Sequence, residues 1–169
     1  IGYDGDQTVK FIQSRITHSG DSSIAMDLAA VAIEDSQIAI AGSIVADELT
    51  SNRVEFVGAT KDNPLLKVPV LSIKSTVVAN SAGPAIKTTE LTATHATIVG
   101  QGAKTIELTG VNQVLNLTNS IVRAPAKMTC LASDTMPAIG YMQSNLWSGC
   151  ENLYCDKDGC RTQPLEIDF

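Results

Sequence analysis

Aliphatic residues recur along the middle of the chain at intervals of about 20 positions. The segment that begins at Pro64 aligns without a gap with the segment that begins at Pro84. In each, an aliphatic residue is followed by a second five positions later and a third seven positions after that: Leu66, Leu71 and Val78, then Ile86, Leu91 and Ile98. Alternating residues such as Leu91-Thr-Ala-Thr-His-Ala-Thr-Ile98 indicate β-strands, and helical repeats are longer. The pattern therefore predicts a repeat built from short strands.

The same spacing continues on both sides of these two units. Upstream units are Met26, Val31 and Ile38, then Ile44, Leu49 and Phe56. Downstream, Ile106 and Val111 keep the spacing but Thr118 occupies the third position, so the last coil is predicted to pair in a shifted register. About five coils follow from this pattern. Four residues close behind the third position are predicted to form turns with positive φ: Gly42, Gly58, Asn80 and Gly100.

Stacked coils of this size resemble the right-handed parallel β-helix class, which is found in adhesins, phage tail proteins and polysaccharide lyases. The resemblance covers residues 23–125 and implies an all-β solenoid in which each coil buries its apolar face only against its neighbours. The ends of such a solenoid need caps. Residues 1–22, with Val9, Phe11, Ile12 and Ile16, are predicted to form one cap. Residues 126–169 are predicted to form the other, because aromatic residues, Met and Cys appear together there.

The composition excludes some classes of partner. The chain of 169 residues has a formal net charge of −6, which argues against nucleic acid and against docking on anionic lipid. Its longest apolar stretch is too short to cross a bilayer. Any attachment to a membrane is therefore expected to need an anchor outside this sequence.

All four cysteines lie in the last quarter of the chain, at Cys130, Cys150, Cys155 and Cys160. An even number of clustered cysteines predicts two disulfides and an oxidising, extracytoplasmic location, secreted or at the cell surface. Three connectivities are possible, of which Cys130–Cys150 with Cys155–Cys160 is favoured. A zinc site is the alternative, but the spacings do not match the usual pairs of ligands.

The aromatic residues of the same region are the candidate contacts for a partner. Tyr141, Trp147 and Tyr154 are predicted to contact a protein or a glycan, because such rings stack on sugars and anchor interfaces. The alternative is that they fill a small core around the disulfides.

Other patterns suggest chemistry less strongly. Asp156-Lys-Asp-Gly159 and Asp4-Gly-Asp6 resemble fragments of calcium loops but read first as turns. His95 is assigned a structural role, and the triplet at Asn116 fits an acceptor for glycosylation. Threonines at 88, 89, 92, 94 and 97 suggest ice binding, but Lys74 is aligned with Thr94 and interrupts the row. No catalytic, cofactor-binding or metal-binding residue is predicted.

These observations predict a non-enzymatic structural or binding module at a surface: an adhesin, an appendage subunit or a tail-spike-like protein. Assembly into a filament or a trimer is compatible with this hypothesis. The alternative is a small carbohydrate-active enzyme, a lyase or a glycosidase, which would need carboxylates clustered on one face of the solenoid. Glu90 and Glu107 do not occupy equivalent positions of the repeat.

Overall fold

The computed structural model describes residues 8–19, 24–25 and 30–162. All of its regular elements are β-strands, and nearly all of them pair in parallel. Within these ranges there is no helix with the length and apolar character needed to span a membrane.

The strands form three sheets, and the chain visits the sheets in the same order in every turn. Sheet A contains β1 (Thr8–Ile12), β4 (Ala30–Glu34), β7 (Glu48–Asn52), β10 (Val70–Lys74), β13 (Glu90–Thr94), β16 (Val114–Thr118) and β19 (Ala138–Gln143). Sheet B contains β2 (Arg15–His18), β5 (Gln37–Ile40), β8 (Glu55–Gly58), β11 (Val77–Asn80), β14 (Thr97–Val99), β17 (Ile121–Arg123) and β20 (Leu146–Ser148). Sheet C contains β3 (Ile24–Ala25), β6 (Ile44–Val45), β9 (Leu66–Lys67), β12 (Ile86–Thr88), β15 (Lys104–Leu108), β18 (Thr129–Ser133), β21 (Asn152–Asp156) and β22 (Gly159–Arg161).

The three aliphatic positions of each predicted unit fall on the three sheets, one on each. Leu71 pairs with Leu91 in sheet A, Val78 with Ile98 in sheet B, and Leu66 with Ile86 in sheet C. These side chains are at most 1% exposed and form one continuous core. The predicted parallel β-solenoid is therefore confirmed, with about six turns rather than five.

Each passage from sheet A to sheet B consists of two residues, the first of which is in the left-handed conformation. The row of these residues is Gln13, Asp35, Arg53, Ser75, His95, Asn119 and Ser144, with φ between 49° and 55°. The next residue is often a hydroxyl that faces inward: the Ser36 hydroxyl donates to the Glu34 carbonyl (2.6 Å) and accepts from the Ser14 N–H (3.0 Å). Ser120 makes the equivalent bonds to Thr118 and Ala96. These hydroxyls satisfy backbone groups that the turn removes from the sheets.

The prediction that Gly42, Gly58, Asn80 and Gly100 adopt positive φ is wrong, because none of them does so. Gly58 is needed for space instead, since a Cβ there would lie 2.4 Å from Cδ1 of Leu65. Asn80 is buried, and its amide nitrogen donates to the carbonyls of Thr60 and Pro84 at 3.0 and 2.7 Å.

The described part of the predicted N-terminal cap is a further turn of the solenoid. Strand β1 pairs in parallel with β4, and β2 pairs with β5. Val9 and Ile16 each precede their partners, Val31 and Ile38, by the same number of residues, so they repeat the pattern of the next turn. Ser23 therefore does not mark the start of the solenoid. Residues 1–7 and 20–23, together with Met26 and the Asp4-Gly-Asp6 sequence, lie outside the described residues.

Val111 does not belong to the core, contrary to the prediction. It is 81% exposed, in the connection that precedes β16. Leu115 takes the inward position instead and pairs with Leu91. The connection after Ile106 is longer than the one after Ile86, and this insertion blurs the repeat in the sequence.

The predicted C-terminal cap also continues the three sheets, through β18 to β21. Larger inward residues conceal the repeat there, since Trp147 pairs with Val122 and Tyr154 with Leu131. Among the described strands only β22 is antiparallel, and it covers the outer edge of β21. The solenoid therefore does not end at Pro125 but continues to the hairpin of β21 and β22.

The favoured disulfide pairing is confirmed. Cys130–Cys150 joins two successive turns, with the Cα atoms 5.5 Å apart. Cys155–Cys160 closes the terminal hairpin, with the Cα atoms 4.1 Å apart. No described cysteine is free, so the zinc alternative has no thiolates to supply the ligands.

Candidate functional site

The three aromatic residues predicted as partner contacts lie on three different sheets. Tyr141 is on β19 of sheet A, Trp147 on β20 of sheet B and Tyr154 on β21 of sheet C. They occupy the same turn of the solenoid but do not converge on one surface. Each must therefore be considered separately.

Tyr154 belongs to the core, because it is 1% exposed and is a member of the buried cluster. Burial is the largest cause that raises the pKa of its hydroxyl to about 12, and the neighbouring Asp156 carboxylate acts in the same direction. Its hydroxyl oxygen is buried without a hydrogen bond. A ring in this environment cannot stack on a ligand.

Trp147 covers the end of the core. It faces inward in register with Val122, is half-buried, and packs against the buried cluster. This is the position expected of a residue that fills space at the end of the core.

Tyr141 is the one predicted contact that faces solvent, with 62% of its surface exposed. A β-bulge places it there: Ile139 pairs with Leu115 and Tyr141 pairs with Asn116, so Gly140 is an extra residue between them. The bulge lets both Ile139 and Met142 point toward the core while Tyr141 points outward. Bulges commonly redirect a side chain in this way.

Asn116 holds the bulge in position. Its side-chain oxygen accepts the Tyr141 N–H at 3.1 Å, and its amide nitrogen donates to the Thr92 hydroxyl at 3.2 Å. A Cβ on Gly140 would lie 2.2 Å from the same Asn116 oxygen, so a larger residue there would displace the Asn116 side chain. The Asn116 side chain is thus a structural brace as well as part of the glycosylation triplet.

The outward side chains around Tyr141 are neutral and polar. We name the following set the Tyr141 patch: Thr92, Thr94, Asn116, Thr118, Tyr141 and Gln143. They occupy adjacent positions on β13, β16 and β19 and are exposed or half-buried. Lys74, on the neighbouring strand β10, is paired with Thr94, as the sequence alignment predicts. It interrupts the row of threonines that suggested ice binding.

The two carboxylates considered for catalysis, Glu90 and Glu107, do not lie together. Glu90 lies on sheet A, whereas Glu107 lies on sheet C, on another face of the solenoid. Burial opposes the ionisation of Glu107. The hydrogen bond from Lys104 and the charges of Lys104 and Lys87 outweigh that burial and lower its pKa. Glu107 is therefore engaged as a structural ion-pair partner.

Asp35 is also paired. It receives two hydrogen bonds from Arg53, at 2.5 and 2.9 Å, and the hydrogen bond from Arg53 is the largest cause that lowers the pKa of this carboxyl group. Both residues belong to the left-handed row, on successive turns. The pair stacks along the edge between sheets A and B.

The remaining candidates occupy turns and edges. His95 lies in the left-handed row rather than in a strand and is exposed. Asp156-Lys-Asp-Gly159 forms the turn of the terminal hairpin, where the Asp156 carboxylate accepts the Asp158 N–H at 2.8 Å. Among the residues that the structure describes, no group of three potential metal ligands comes together.

Sequence reasoning noted Tyr141, the threonine row and the Asn116 triplet separately but did not bring them together. Their proximity depends on the register of β13, β16 and β19, which includes one long connection and one bulge. The extra Gly140 next to Tyr141 was the available signal. Comparisons of the chain with known protein families, with curated proteins and with solved structures found no match.

Proposed function

We propose that this chain is a non-enzymatic structural and binding module that works outside the cytoplasm. The observation that carries the proposal is the uninterrupted stack of parallel strands, which makes a stiff body with flat outward faces, joined to an end reinforced by two disulfides. Such a body can present side chains at fixed spacings to a partner. A secreted or surface-attached adhesin, appendage subunit or tail-spike-like protein fits this architecture.

The disulfides support the location. Disulfides persist in oxidising compartments and are rare in the cytosol. Cys130–Cys150 links two turns through the core, so the oxidised state is integral to the described fold.

Assembly of several copies is a further part of this proposal. Inward-facing residues at both described ends are only half-buried: Phe11 and Ile16 at one end, Ile139 and Trp147 at the other. A second copy stacked on either end would continue the parallel pairing of sheets A and B and cover these side chains, as required for a filament. The exposed apolar residues of sheet B, among them Val77 and Ile121, offer a lateral surface for a trimer.

The rival function is a carbohydrate-active enzyme on the same scaffold. It requires two carboxylates at a separation suited to glycosidic bond cleavage. The placement of Glu90 and Glu107 on different sheets favours the binding module.

The test is to incubate the oxidised protein with immobilised and soluble polysaccharides and with extracellular matrix proteins. We expect retention on at least one of these surfaces without release of reducing or unsaturated oligosaccharides. Steady release of oligosaccharide products would overturn the proposed function and support the enzyme.

A further inference from the structure

We propose that the Tyr141 patch is a binding site for a neutral oligosaccharide. This inference rests on the proposed function and names the ligand class and the residues that contact it. The ring of Tyr141 supplies the stacking surface, and the amide and hydroxyl groups of Asn116 and Thr92 supply hydrogen bonds.

The position of the ring is the first argument. An aromatic side chain with 62% exposure loses contact with the core, yet the bulge at Gly140 and the Asn116 side chain together hold Tyr141 outward. A large exposed ring on an ordered strand is costly to leave in water and is a typical anchor for a ligand. Sugar rings present apolar C–H faces that match such a surface.

The hydrogen-bonding capacity beside the ring is the second argument. The Asn116 amide group has two N–H donors, of which one is directed to Thr92. The Thr92 hydroxyl accepts that bond and keeps its own O–H to donate. Because the Asn116 side chain is held at both ends, these donors are ordered before a ligand arrives, which lowers the entropic cost of binding.

The spacing of the strands is the third argument. Neighbouring strands lie about 4.8 Å apart, which is close to the advance of one sugar unit along an extended glycan. The patch covers β13, β16 and β19, so successive strands can meet successive sugar units. The ligand is therefore expected to run along the axis of the solenoid and to occupy two or three units.

The charge of the surface selects a neutral ligand. None of the six residues of the patch is charged, and two side chains of opposite charge border it, Glu90 at the start of β13 and Lys74 on β10. The whole chain has a net charge of −6. Acidic glycans are repelled by this field, whereas neutral ones are not.

The experiment measures the binding of the full chain to neutral hexasaccharides of β-1,4-glucan, β-1,3-glucan, α-1,4-glucan, β-1,4-xylan and N-acetylglucosamine, with an oligogalacturonate as the acidic comparison. We expect at least one neutral hexasaccharide to bind and the acidic one not to bind. Tyr141→Ala should weaken binding by at least tenfold, or about 1.4 kcal/mol. Tyr141→Phe should retain it because the ring remains, and Thr92→Val should weaken it severalfold.

Leu146→Ala is the matched control, because Leu146 is 57% exposed in the same turn but on sheet B. It should bind like the unmodified chain, and thermal melting should show that every variant is folded. Neutral binding that survives Tyr141→Ala, binding of the acidic ligand alone, or no binding of any hexasaccharide would each overturn this site. Those outcomes leave the proposed function standing, because it is also satisfied by retention on a matrix protein or on another polysaccharide, at another surface of the solenoid.

Discussion

Individual inward residues differ widely in size along each column of the core, and neighbouring positions compensate. In sheet B, Phe56 and Gly58 lie on the same strand, and the missing Cβ of Gly58 leaves room for Leu65. Close packing makes such pairs interdependent. The sequence shows a glycine at position 58 but not why it is needed. The steric contact with Leu65 depends on how the chain turns after β8.

Tyr154 gives a testable consequence of burial at this scale. Its pKa is raised from 10.0 to about 12, so the folded state keeps the phenolic proton after the unfolded chain has lost it. The stabilisation is fully present below pH 10 and is lost as pH rises toward 12, at up to about 1.4 kcal/mol per pH unit. Urea unfolding at pH 8, 10 and 11 should show this loss.

Tyr154→Phe is the control for that titration. We expect it to reduce the loss of stability above pH 10. At pH 7 it should be neutral or stabilising by about 1 kcal/mol, because it removes a buried hydroxyl that has no hydrogen-bond partner. An identical pH dependence in both proteins would contradict this interpretation.

At the scale of elements, the sequence predicted strands wherever the aliphatic spacing was regular. The columns through Leu71, Val78 and Ile86 follow that spacing. Prediction failed where the spacing changed, as at the connection that contains Val111, and where aromatic residues replaced aliphatic ones. The Tyr141 bulge was missed, because Gly140 marks it only when the register with the partner strand, more than 20 residues away, is known.

The two disulfides should contribute unequally to stability. Replacing Cys130 and Cys150 by Ala opens a loop with a sequence separation of 20 and should lower the free energy of unfolding by about 2–4 kcal/mol. Replacing Cys155 and Cys160 opens a separation of 5 and should cost about 1 kcal/mol less. Chemical unfolding of the two double variants measures the difference, and a larger loss for the hairpin pair would contradict it.

The whole molecule behaves as a stack in which each turn contacts only the turns beside it. Leu66, Ile86 and Ile106 are consecutive members of one column, so residues 86–105 constitute one complete turn. We expect deletion of residues 86–105 to leave a folded chain that keeps the circular-dichroism spectrum of a β-sheet protein. The turns on either side of the deletion can pair with each other.

Deletion of residues 86–95 is the matched control. It removes β12 of sheet C and β13 of sheet A and brings β14 of sheet B to the position of a sheet C strand, so this variant should fail to fold. If the two deletion variants show the same thermal unfolding transition, the turns are not interchangeable units.

The left-handed row has a consequence for how this protein can change. Its seven positions are occupied by Gln, Asp, Arg, Ser, His, Asn and Ser with nearly the same φ, so the backbone there does not depend on one side chain. The positions recur once per turn along a straight ridge, at the strand spacing of about 4.8 Å. Mutation can therefore rewrite the chemistry of this ridge one residue at a time, and a new recognition surface can evolve or be engineered while the scaffold stays intact.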